Sequence, residues 1–279
     1  MAQDISEIYQ TNSFVFEGIP VSYLEGGEGF PVLMLHGSGP GASTIGNWRT
    51  ILAPLAGRFK IYAMDLIGFG ASGRKGAPPY FDMKLWLRQA LAMVERIGAA
   101  RLGVVGHSVS GALALKLAAS ESRIAAVVTT ATMGQKFALN QYAARAWTFP
   151  QNRDELRRMA QGVIFNHSLI DETYLANREC ILFSGDYATY FSAMFEGDKQ
   201  RYIDEAIVSD TELAHIKCPV TLLHGRDDLG FPPATSIALS QHFPWADLML
   251  IGRCSHSIAL EHPDKLVGAI AQTFHSVSH

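Results

Sequence analysis

The chain has 279 residues, 48% of them hydrophobic and 18% charged, with a formal net charge of −3. That balance describes a well-cored globular protein and, without a basic stripe, gives no electrostatic footing for nucleic-acid binding. Cys180, Cys218 and Cys254 are far apart and form no CxxC pair, which argues against a disulfide framework and against a zinc site.

The opening MAQDISEIYQ is acidic and lacks an apolar run, so no secretory signal is expected. No later stretch approaches the roughly 18 apolar residues of a membrane span, and a soluble, cytoplasmic protein is the expectation. Ser13–Phe16 and Val21–Glu25 read as an antiparallel pair joined by a Gly18-Ile19-Pro20 turn. Short apolar runs of strand length follow at Pro31–Leu35, Lys60–Met64, Leu102–Val105, Ala125–Thr130, Val220–Leu223 and Asp247–Ile251. Helical patterns lie between them at Trp48–Leu55, Met83–Ile97, Gly111–Ala119, Ala234–His242 and Pro263–Phe274. Apolar strands alternating with amphipathic helices predict an α/β fold with a mostly parallel sheet covered on both faces. Sheets of this kind carry their sites at the carboxyl ends of the strands. Between about Gly134 and Asp210 the alternation stops and helical periodicity continues alone. The expected organisation is therefore a core of residues 1–133 and 211–279, with residues 134–210 forming a helical cap able to shield a pocket from water.

The segment Leu102–Gly111 runs from a strand straight into an Ala/Leu-rich helix and contains Gly106-His-Ser108-Val-Ser110. A strand-to-helix turn with small residues two positions either side of a serine is the setting of a nucleophile elbow, close to G-x-S-x-G. Ser110 stands where glycine is usual, and could itself be the nucleophile with Ala112 as its small partner. Ser108 is preferred, because Gly106 is expected to end the strand where the turn begins. A serine also needs a base, and the base a carboxylate, in the chain order Ser, acid, His. After the strand ending at Leu223 comes His224-Gly-Arg-Asp227-Asp228, and Asp228 is chosen over Asp227 for its spacing to Pro232. After the strand ending at Ile251 comes Gly-Arg-Cys-Ser-His256. Of the ten histidines, His167, His215, His242, His275 and His279 read as surface or satisfied residues and His262 as structural, whereas His256 completes the order. The glycine-rich loop His36-Gly37-Ser38-Gly39-Pro-Gly41 follows the first core strand, and the N–H groups of Ser38 and Val109 are candidates for an oxyanion hole. Its spacing fits neither GxGxxG nor a P-loop.

With these residues placed, the chain resembles the meta-cleavage product hydrolases of aromatic degradation, which are α/β-hydrolases. The resemblance is carried by His36–Ala42 with Gly46-Asn-Trp-Arg49, by Met64-Asp-Leu-Ile-Gly-Phe-Gly70, and by Ser192-Ala-Met-Phe195 with Gln200-Arg201. Gly225-Arg-Asp-Asp228 and the stretch from Cys254 to Glu261-His262 complete it. The cap phrase is most similar to the branch acting on 2-hydroxymuconic semialdehyde and small alkyl analogues. The resemblance implies cleavage of a carbon–carbon bond in 2-hydroxy-6-oxohexa-2,4-dienoate-type compounds, no metal or organic cofactor, and a homodimer. It also implies substrate contacts at Asn47, Arg178, Gly37, Gly39 and Ser257, with Arg178 holding the carboxylate. A helix cap is the competing reading of Asn47. His107 replaces the family's asparagine, Ser110 its glycine, and Ser257 its tryptophan after the histidine. These departures keep three other readings open: a carboxylesterase on the same triad, a cofactor-free oxygenase, and a non-catalytic binding module.

Overall fold

The computed structural model describes residues 5–278; His279, read above as a surface histidine, lies outside them. In chain order the elements begin with α1 (Ile5–Ile8), β1 (Tyr9–Phe16), β2 (Ile19–Gly26), β3 (Phe30–Leu35), α2 (Thr44–Ala56) and β4 (Phe59–Met64). Then come α3 (Met83–Ile97), β5 (Leu102–His107), α4 (Val109–Ser120) and β6 (Ile124–Thr130). Six helices follow without an intervening strand: α5 (Gln141–Ala146), α6 (Arg153–Gln161), α7 (Glu172–Leu182), α8 (Tyr187–Met194), α9 (Gln200–Glu205) and α10 (Asp210–His215), with a 3-10 turn at His167–Leu169. The chain closes with β7 (Val220–Gly225), α11 (Ala234–Ser240), β8 (Ala246–Ile251), α12 (Ile258–Glu261) and α13 (Pro263–His275). Among the described residues no helix is long and apolar enough to cross a membrane.

The strands form one sheet in the order β1-β2-β4-β3-β5-β6-β7-β8. The β1–β2 and β2–β4 pairs are antiparallel and all the others parallel. Every residue of β5, β6 and β7 is buried. Helices cover both faces of these central strands, so their sequences show no polar alternation. Successive side chains instead divide between two cores: Leu33 and Leu35 enter one, Val32 and Met34 the other. Gly103 marks how closely the second face is packed, since a Cβ there would lie 2.6 Å from the Phe274 ring.

Several boundaries differ from the sequence reading, and three stand out. The hairpin turn is Glu17-Gly18, both with positive φ (48° and 79°), while Ile19 and Pro20 already pair in β2. A two-residue turn with both centres left-handed matches the twist of an antiparallel pair, which a turn placed over Pro20 cannot do. Helix α2 starts at Thr44 rather than Trp48, because the Ser43 hydroxyl accepts the Gly46 N–H at 3.0 Å and caps it. Asn47 therefore lies inside the helix, and its reading as a cap is overturned. Finally, β5 continues through His107, so the turn begins at Ser108 and not at Gly106.

Register fixes where the loops emerge. Leu35 pairs with Gly106, Gly106 with Thr129, Thr130 with Leu223, and Gly225 with Ile251. The carboxyl ends of β3, β5, β6, β7 and β8 thus share one edge. The loops at 36–41, 108, 226–231 and 252–257 all rise from it.

Candidate active site

Ser108 occupies a backbone position that few residues accept, with φ 58° and ψ −121°. A non-glycine residue in this region stores strain, which persists because the surroundings over-determine it. Its N–H donates to Thr130 O at 2.9 Å, and its carbonyl accepts from Gly111 and Met133. Gly106 is required by the same turn, since a Cβ there would come within 2.1 Å of Ser110 O. Ser110, by contrast, keeps its side chain. Its hydroxyl donates to the His36 carbonyl at 2.5 Å, tying the turn to the glycine-rich loop, and so it is bonded away from the cavity chemistry.

His36 shapes that loop. It accepts the Leu66 N–H at Nε2 (3.0 Å), so Nδ1 carries the proton and donates to Gly37 O at 2.6 Å. Complete burial holds its pKa below the ordinary value, against the pull of Asp65. A trans peptide directs its C=O and N–H to opposite sides. With Gly37 O held by His36, the Ser38 N–H faces away from that bond. Among the described residues neither this N–H nor that of Val109, the first residue of α4, donates to a protein acceptor. The two are available to an incoming oxygen, one of them at a helix N-terminus. The Ser38 hydroxyl accepts from Trp147 Nε1 at 3.1 Å, and the Tyr187 hydroxyl accepts from Gly41 N at 2.9 Å, so the helical segment holds the loop from above.

Asp228 and His256 meet from the next two strand ends. Asp228 Oδ2 lies 2.7 Å from His256 Nδ1 and 3.5 Å from His224 Nε2, while Oδ1 accepts the N–H groups of Gly230 (3.1 Å) and Phe231 (2.9 Å). Burial pushes the Asp228 carboxyl pKa up, but the adjacent His256 and the hydrogen bonds from His224 and His256 outweigh it, leaving a net shift well below the ordinary carboxylate range. An ionised carboxylate only accepts, so His256 Nδ1 bears the proton and Nε2 is left as a base. His256 and Ser108 line one cavity of about 400 Å³. No hydrogen bond joins them in this structure; such bonds commonly tighten only with substrate in place.

The remaining sequence candidates fall on the same wall. Gly37, Gly39, Asn47, Arg178 and Ser257 all line the cavity. Arg178 reaches across from α7 to donate to Pro40 O at 2.9 Å, with its guanidinium 5.4 Å from the Tyr174 ring centroid. The lining includes Arg49 and Arg178 and no Asp or Glu. His107 also lines it, its ring centroid 4.7 Å from that of His256 and its Nδ1 3.2 Å from Thr130 O. Burial first, then the neighbouring His256, drives the His107 pKa well below the ordinary histidine value, so it stands as a neutral imidazole. His167, His215, His242, His262 and His275 are not among the lining residues.

Sequence reasoning missed His224, Phe231 and Glu261. His224 is wholly buried and bonds Ser236 Oγ at 2.7 Å and Phe231 O at 2.9 Å, so it braces the loop that carries Asp228. Its place at the end of a strand, four residues before Asp228, was the available signal. Phe231 stacks on His256, and Glu261 joins distant backbones; no local pattern marks either.

Comparison with known proteins gives a consistent picture. The model of a family described as "alpha/beta hydrolase fold" matches residues 31–263. A 2-hydroxymuconate semialdehyde hydrolase of Pseudomonas sp. (strain CF600) is 27% identical over 254 residues, covering 91% of this chain and 89% of that protein. A 2-hydroxy-6-oxo-2,4-heptadienoate hydrolase of Pseudomonas putida F1 is 29% identical over 245 residues, covering 88% of each. The structure of a meta-cleavage product hydrolase variant from Pseudomonas fluorescens IP01, complexed with acetates, superposes with a TM-score of 0.90 at 26% identity, over 95% of this chain and 97% of that one. With the family model spanning most of its length, the chain belongs to the α/β-hydrolase fold family.

Proposed function

We propose that the protein is a serine hydrolase that cleaves a carbon–carbon bond in 2-hydroxy-6-oxohexa-2,4-dienoate-type compounds, releasing 2-hydroxypenta-2,4-dienoate and a carboxylic acid. The observation that carries this reading is Arg178 on the wall of the cavity that Ser108 and His256 share, with no carboxylate among the lining residues. A planar guanidinium pairs with a carboxylate through two parallel hydrogen bonds, and a neutral ester offers it nothing comparable. The names of the relatives described above agree with a dienoate substrate.

In this reading the substrate carboxylate lies against Arg178, with Asn47, Gly37, Gly39 and Ser257 around the dienoate. His256, oriented by Asp228, moves a proton from the 2-hydroxyl towards C5, so that the dienol becomes a 2,6-diketone. The 2-oxo group, conjugated through the remaining double bond, then serves as the electron sink for C5. Ser108 attacks the C6 carbonyl while His256 takes its proton, and the Ser38 and Val109 N–H groups hold the oxyanion. Collapse expels C5 as a dienolate, the proton held by His256 passes to it to give the conjugated dienol product, and the acyl-Ser108 left behind is hydrolysed by water with His256, now free again, as base. Each oxyanion donor of this kind contributes about 3 kcal/mol to the rate. We further propose that the enzyme works in the cytoplasm as a homodimer, which sedimentation of the purified protein would test.

The test is to mix purified protein with a panel of yellow ring-fission products differing at C6 and follow the loss of colour. Decay of at least one member supports the reading. His107 and Ser257 on the cavity wall favour a carboxylesterase as the second reading; rapid ester hydrolysis with no colour loss would establish that instead.

A further inference from the structure

We propose that Glu261 couples docking of the 163–166 loop to the placement of His256, so that the histidine is correctly held only when that loop is seated. The inference rests on His256 being the base of the reaction proposed above. Glu261 is the last residue of α12, five positions after His256, and lies outside the cavity lining. Its carboxylate spans two stretches of backbone that are far apart in the chain. Oε1 accepts the Ser255 N–H at 2.9 Å, while Oε2 accepts the N–H groups of Phe165 at 2.8 Å and Asn166 at 3.0 Å. A fourth bond runs beside it, from Ser257 N–H to Val163 O at 3.1 Å.

The two residues flanking His256 are therefore both fastened to the loop after α6, one through Glu261 and one directly. That loop is also part of the site, since Val163 lines the cavity. One carboxylate taking three N–H donors leaves no lone pair arrangement that an amide can copy. A glutamine in its place would have to aim its NH2 group at one of the two donor sets. Either His256 loses its anchor on the Ser255 side or the loop loses its anchor at 165–166. Because a displacement of about 1 Å at a base costs up to about a hundredfold in rate, the consequence falls on the chemical step rather than on binding.

Two measurements decide this. In the unmodified protein, amide hydrogen exchange should show Phe165, Asn166, Ser255 and Ser257 opening together with matching protection. Ser255 remaining protected at least about a hundredfold more than Phe165 and Asn166 would overturn the coupling. In Glu261→Gln, kcat should fall about tenfold or more at a nearly unchanged KM, with faster exchange at those four amides and unchanged exchange in β5 and β6. A variant that retains kcat within about twofold, whatever its thermal stability, reduces Glu261 to a packing role. The exchange result needs no substrate, so it stands even if neither dienoates nor esters are turned over.

Discussion

Phe231 lies nearly flat against His256, ring centroids 4.3 Å apart at 28°, and its own N–H donates to Asp228 Oδ1 at 2.9 Å. A single residue thus restrains both His256 and Asp228, one through its ring and the other through its backbone. Phe231→Ala keeps the N–H and removes only the ring. It should lower kcat about tenfold while leaving the His256–Asp228 bond in place, and steady-state kinetics with a downfield proton signal from His256 Nδ1–H would separate the two effects.

Asp228→Asn tests the carboxylate. An amide at this position can donate to Nδ1 and favour the wrong tautomer of His256, so kcat should fall about 10⁴-fold with little change in KM. The native carboxyl pKa is depressed below its unfolded value near 3.9, so Asp228 contributes stability above that pH and loses it as the pH falls further. Between pH 5 and 8 the variant's stability should therefore run parallel to that of the native protein, the two curves converging only below about pH 4.

His107 and His36 give a slope of the same sign in a higher pH window. Both have pKa values lowered by burial, so the unfolded chain takes up protons, near its ordinary value of about 6.5, that the folded one refuses. Stability must then drop as pH falls from about 7 to 5. His107→Asn should flatten this decline, seen as a smaller change in Tm over that interval. Parallel melting curves would show that His107 is not the group responsible.

How much of this was legible in the sequence depends on the range of each interaction. Ser108, Asp228 and His256 could be chosen because each follows a strand, and parallel strands deliver their ends to one edge whatever the side chains do. The hairpin turn was misplaced because Pro20 is a strong turn former, yet it pairs opposite Val15 within β2. The start of α2 was missed because the apolar pattern begins at Trp48, whereas the helix is set by the hydroxyl of Ser43. The Trp147–Ser38 and Tyr187–Gly41 bonds join residues more than a hundred positions apart. No periodicity encodes such pairs, because they depend on how the helical segment packs over the sheet edge.

The turn itself offers a paired test. Gly106→Ala places a methyl 2.1 Å from Ser110 O, with backbone and not a flexible side chain as the obstacle, and should cost about 3 kcal/mol or prevent folding. Ser110→Gly supplies the residue more usual at its position but removes the bond to His36 O. It should lower stability by about 1 kcal/mol in chemical denaturation while retaining most activity.

Arg178→Ala should raise KM for a dienoate about tenfold to a hundredfold and leave hydrolysis of a small neutral ester nearly unchanged. Equal losses on both substrates would remove the carboxylate clamp from the account.

The most direct test of the central claim is a single-turnover reaction of a reactive ring-fission product with the native protein and with Ser108→Ala, followed by absorbance and by mass spectrometry of the quenched protein. The account predicts rapid colour loss and an acyl group on Ser108 in the native protein, and cleavage at least about 10³-fold slower in the variant. Undiminished carbon–carbon cleavage by Ser108→Ala would contradict it.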